Sequence, residues 1–154
     1  MLRLLLAWAH LIALGIGLGA VWARGAALRR MPPDDASLSR AFAADTWWGI
    51  AAGLWILTGV GRLFGGTEKA TSYYLHNHLF LTKMLLLLVI LALETWPMIA
   101  LLRLRKLRGR GALDAASHGE TARRIATISM IEAVVVAVMV GLAVAMARGY
   151  GARA

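Results

Sequence analysis

Four apolar stretches, at about residues 4–22, 43–64, 77–102 and 125–147, occupy most of a 154-residue chain and leave only short connections. Each approaches the roughly 20 residues that a helix needs to cross a bilayer core, where the backbone must satisfy its own hydrogen bonds. The second reaches that length only when Ala41 to Asp45 and Arg62 to Phe64 continue its helix. The spacing predicts an all-α integral membrane protein, a four-helix transmembrane bundle forming one domain over residues 1–154. Composition agrees: hydrophobic residues make up 60%, against roughly 45–50% in soluble domains.

The absence of cysteine excludes disulfides, thiolate metal sites and a cysteine nucleophile. The net charge of +9 is concentrated in Arg103, Arg105, Lys106, Arg108 and Arg110, directly after the third stretch. There it reads as an anchor on anionic lipid headgroups, and no nucleic-acid-binding motif accompanies it. Basic residues of the first and third connections, Arg24 and Arg29 among them, outnumber those on the other side by eleven to five. The asymmetry predicts a multi-pass membrane protein with both termini outside the cytoplasm. Arg24, Arg29 and Arg30 also form a stop-transfer flank, which favours a retained first helix over a signal peptide cleaved near Val21-Trp22-Ala23.

Punctuation signals divide the chain further. Pro32-Pro33-Asp34-Asp35 breaks it and offers aspartates to cap the second helix. Gly66 to Ser72 reads as a turn, followed by the interfacial pair Tyr73-Tyr74 where the third helix begins. Ser117-x-x-Glu120 has the spacing of a capping box for the fourth helix. Gly15-x-x-x-Gly19 and Gly49-x-x-x-Gly53 read as close-packing helix faces, within the chain, in a homo-oligomer or in a larger membrane complex.

Ionisable residues inside the spans are candidates for function, because each costs a few kcal/mol unless paired, hydrated or bound. His76, Lys83 and Glu94 are separated by steps of 7 and 11 residues, which puts all three on one face of the third helix. Depth sorts the polar residues into two layers. His10, Arg62, His76 and Lys83 fall in the outer one, with Met139 and Met146 two turns apart on the fourth helix. Imidazoles on two helices, a methionine on a third and an arginine at the rim suit a b-type haem, iron-ligated by histidine or methionine with a propionate on the arginine. A copper site using His10, His76 and His78 with methionines is the alternative. Interfacial histidines, a snorkelling Lys83 and core-filling methionines are the plain alternatives. The inner layer pairs Glu94 with Glu132, two carboxylates expected to share a proton in a relay. Asp45 and Trp47-Trp48 read as boundary anchors.

Leu11 to Gly19 after His10, Gly59-Val60-Gly61-Arg62-Leu63-Phe64, and Tyr73 to Lys83 resemble a bacterial membrane family without an assigned activity, over nearly the whole chain. More distantly, His10 early in the first helix and Lys83 early in the third are similar in position to functional residues of the quinone-linked membrane protoporphyrinogen oxidases, a group that the copper-resistance D proteins accompany. The oxidases tend to carry a histidine two residues before the lysine, where this chain has Leu81. That resemblance implies a haem or porphyrin-like ligand, with Lys83 as the candidate catalytic residue. Together these readings lead to a haem-binding redox protein exchanging electrons with quinone; a metal or proton transport protein, or a structural subunit, is the alternative.

Overall fold

The computed structural model describes residues 1–29, 34–65, 71–114 and 117–151. Arg30, Pro32-Pro33, most of the Gly66 to Ser72 turn and the side chain of Tyr73 lie outside the described residues. Four long helices, α1 (Leu2–Ala27), α2 (Asp35–Phe64), α4 (His78–Gly109) and α5 (Gly119–Ala147), are joined by a single-turn α3 (Thr71–Leu75) between α2 and α4. α1, α4 and α5 are long and apolar enough to cross a membrane. α2 has the length, but glycines, tryptophans, threonines and Arg62 dilute its apolar half. Its outward side is nonetheless apolar, with Trp47, Ile50, Leu54, Leu57 and Phe64 exposed.

The helices form a ring in the order α2, α1, α5, α4, and the seam between α4 and α2 closes it only loosely. One end of the bundle holds both chain ends; the other holds the connections after α1 and α4. A core of Ala13, Val21, Trp48, Trp55, Ile90, Val136 and Met139 fills the middle. A second, of Leu28, Leu38, Ala41, Leu101, Leu104 and Ile125, fills the connection end. The outward surface carries Trp8, Leu11, Leu88 and Val134, each more than half exposed, as expected of side chains facing lipid.

Local signals account for the element ends, with two corrections. Asp34 caps α2 as its position predicts, its carboxylate accepting from Ser37 N at 2.6 Å. The Ser117-x-x-Glu120 box does not form: His118 is the N-cap of α5, Ser117 donates to the Asp114 carbonyl, and Glu120 pairs with Arg124 instead. The third span is broken at Asn77, whose buried side chain accepts from Leu79 N and Phe80 N and so starts α4 afresh. His76 therefore stands outside the helix that carries Lys83 and Glu94, and the three do not share a face.

The chain returns to this break at its far end. Asn77 donates to the Tyr150 carbonyl and His78 N to the Gly151 carbonyl. Gly151 has φ +78°, and a Cβ there would meet Leu79 Cγ at 2.6 Å, so only glycine fits. The glycine pairs in α1 and α2 need a further correction. A Cβ added at Gly15, Gly19, Gly49 or Gly53 would meet nothing within 4 Å, so neither pair is a close contact within the chain. α1 instead approaches α2 through Gly17, where an added Cβ would lie 3.3 Å from the Trp48 ring.

Candidate functional site

At the end holding the termini, the loose α2–α4 seam widens into a cavity of about 170 Å³. Its walls are apolar, built from Trp55, Phe80, Leu87, Met139 and Met146 among others. His10, Arg62 and Lys83 also line it, from α1, α2 and α4. The structure thus brings these three expected residues together with Met139, while His76 and His78 are exposed and do not line the cavity. His76 Nδ1 donates to the Ser72 carbonyl at 2.7 Å. Among the described residues, neither His76 nor His78 lines this cavity with His10.

His10 is fixed by a neighbour that has no proton to spare. The Thr58 hydroxyl donates to the Leu54 carbonyl at 2.7 Å, so it accepts from His10 Nδ1 at 2.9 Å. A Cβ on Gly59 would stand 3.3 Å from His10 Cε1, so glycine leaves room for the ring. Beside it, the Trp55 ring centroid lies 5.8 Å away, and Trp55 Nε1 is buried with no hydrogen-bond partner. Lys83 is half-buried and has no hydrogen bond or ion pair among the described residues, although Arg62 is near enough to act on its charge.

Nearer the other end lies a second polar centre, organised by a residue that sequence reasoning put in the wrong place. Arg24 was expected in a basic flank; it is wholly buried inside the bundle. Its Nε donates to Ser129 Oγ at 2.9 Å, Nη1 to Asp45 Oδ1 at 2.9 Å and Glu94 Oε1 at 2.7 Å, and Nη2 to Glu94 Oε2 at 2.6 Å and Glu132 Oε2 at 2.8 Å. All five guanidinium hydrogens are used, on residues from α2, α4 and α5. Glu94 and Glu132 do meet: both accept from Arg24 Nη2, and the two carboxyl groups lie close enough to act on each other directly. Asp45, expected as an anchor, is a member of the cluster and also accepts from Arg105 at 2.9 Å. Arg105 further donates to the Phe42 carbonyl and stacks over the Phe42 ring, which ties α4 to α2. The available signal was register: Ala13, Gly17, Ala20 and Arg24 recur on one face of α1, so the arginine continues the buried stripe.

Fold and surface define an α-helical membrane protein with two internal polar centres. The chain belongs to the family described as predicted membrane protein (DUF2214), whose family model matches residues 2–151. No curated protein and no solved structure matches the chain, so the likeness to protoporphyrinogen oxidases and copper-resistance D proteins gains no support.

Proposed function

We propose that this chain is a four-span protein of the bacterial inner membrane whose cavity binds an amphiphile with an anionic head. The observation that carries the reading is Lys83: an ammonium without a hydrogen-bonding or ion-pairing partner among the described residues, close to a second cation, on the wall of an apolar cavity. A cation so placed is costly until an anion meets it, and a carboxylate supplies both the charge and the acceptor oxygens. The Trp55 N–H offers a further donor. A cavity of about 170 Å³ is smaller than the roughly 300–1,000 Å³ of sites that enclose a whole drug-sized ligand. It suits a head and the first carbons of a chain whose remainder lies along the open α2–α4 seam, among lipid tails.

A fatty carboxylate meets these conditions best. A quinone would accept the same hydrogen bonds but, being neutral, would bring no counter-charge to the Lys83 ammonium. Haem propionates suit the two cations, yet the macrocycle exceeds the cavity and His10 is the one imidazole lining it among the described residues. In this reading Lys83 binds and orients a head group, and no bond-making step is assigned to it.

The test is retention. Protein released in mild detergent and incubated with oleate should carry an oleate adduct in native mass spectra, and Lys83→Met should lose it while still folding. Equal retention by both proteins overturns the reading. A Soret band on addition of haem that disappears in His10→Ala would replace it with the haem one.

A further inference from the structure

The Arg24 cluster contains three carboxyl groups and two guanidiniums, and their hydrogen bonds are unevenly shared. Both Glu94 oxygens accept from Arg24; Asp45 accepts from Arg24 with Oδ1 and from Arg105 with Oδ2. Glu132 accepts from Arg24 with Oε2 only, and its Oε1 is buried without a partner. Five of the six oxygens therefore end on a guanidinium and one does not. Arg24 has no hydrogen left to offer the sixth. Ser129, on the same face of α5, accepts from Arg24 and donates to the Ile125 carbonyl, so its proton is committed too. With every group ionised, the cluster would hold one surplus negative charge around an arginine and a glutamate that are both fully buried.

We propose that this cluster is a proton-binding site, occupied at neutral pH by one proton on the Glu132 carboxyl, at the oxygen no cation reaches. The groups facing Glu132 are Arg24 from α1, Asp45 from α2 and Glu94 from α4, with Arg105 of α4 acting through Asp45. With the proton bound their charges sum to zero, which is the arrangement a low-dielectric interior favours. The side on which the cluster is not fully covered is the α2–α4 seam at the connection end, where the Asp45, Glu94 and Arg105 side chains are 14%, 18% and 33% exposed. On the cavity side of the site stand the apolar side chains of Val21, Ile90 and Val136 and the Trp48 ring.

The experiment is infrared spectroscopy of the full-length protein in lipid nanodiscs at neutral pH, in H2O and D2O. The wild type should show a carboxylic-acid C=O band that moves down in D2O, absent from Glu132→Gln and kept in Glu120→Gln, whose carboxyl is exposed. No such band in the wild type, or one that survives Glu132→Gln, overturns the proposal. A melting series supplies an independent reading. Glu132→Gln mimics the neutral acid but has no proton for the unfolded chain to release, so at neutral pH it should melt no lower than the wild type. From the ordinary carboxylate range up to the pH at which the native site gives up its proton, the native state holds a proton that the unfolded state has released, so wild-type stability falls with rising pH across that window while the variant's does not. A variant several degrees less stable at neutral pH, or a wild type with the same alkaline profile as the variant, contradicts the assignment.

Discussion

Arg24 shows how much a single side chain can organise: it is the one group that α1 contributes to the buried cluster, and it holds three other helices by their acidic residues. The pairing is costly to build, since each ion gives up its hydration, yet losing one partner strands the others. Arg24→Leu should therefore destabilise the bundle by about 3–5 kcal/mol, read as a fall in melting temperature in detergent. A variant that melts with the wild type would mean that the carboxylates are stable without their counter-ion. Sequence made the acidic members legible, because Glu94 and Glu132 interrupt long apolar runs. It did not make Arg24 so, because a basic residue in the last turn of a span ordinarily turns outward to the interface. Here the long side chain turns inward, and only its register with Gly17 and Ala20 betrays this.

At the scale of elements, glycines mark where helices touch, though not the glycines whose spacing is most familiar. Gly25, next to Arg24, lies so close to α5 that an added Cβ would collide with the Met130 methyl and stand 3.2 Å from the Ala126 carbonyl. Gly25→Val should push α1 off α5 and cost about 1–3 kcal/mol. Gly15→Val, which meets open space, should leave the melting temperature of the isolated bundle unchanged. Equal losses would place the glycine pair, rather than Gly25, at a helix contact. The break at Asn77 was hidden from periodicity because the residues on either side continue an apolar pattern; what interrupts the helix is a capping side chain, reinforced by the returning Tyr150 and Gly151. With His76 outside the helix, it no longer shares a face with Lys83.

For the whole molecule, hydropathy was enough to read an all-helical membrane chain, whereas the ring order and the uneven α2–α4 seam depend on side chains that pair at a distance. Arg105 and Arg108 clasp α4 to α2 at the connection end, through Asp45 and Asp35. At the other end the seam stands open as the cavity. Withdrawing Arg24 from the surface count leaves the basic asymmetry at ten to five, so the expected orientation keeps its basis. A cysteine at Gly109 should resist impermeant thiol reagents added to intact cells and react after lysis; labelling of intact cells there would reverse the topology. The central claim, that the cavity takes an anionic amphiphile through Lys83, is tested most directly by titrating oleate into the purified protein and its Lys83→Met variant. The account predicts at least a tenfold weaker dissociation constant for the variant, about 1.4 kcal/mol, with an unchanged helical spectrum. Equal affinity in the two proteins would contradict it.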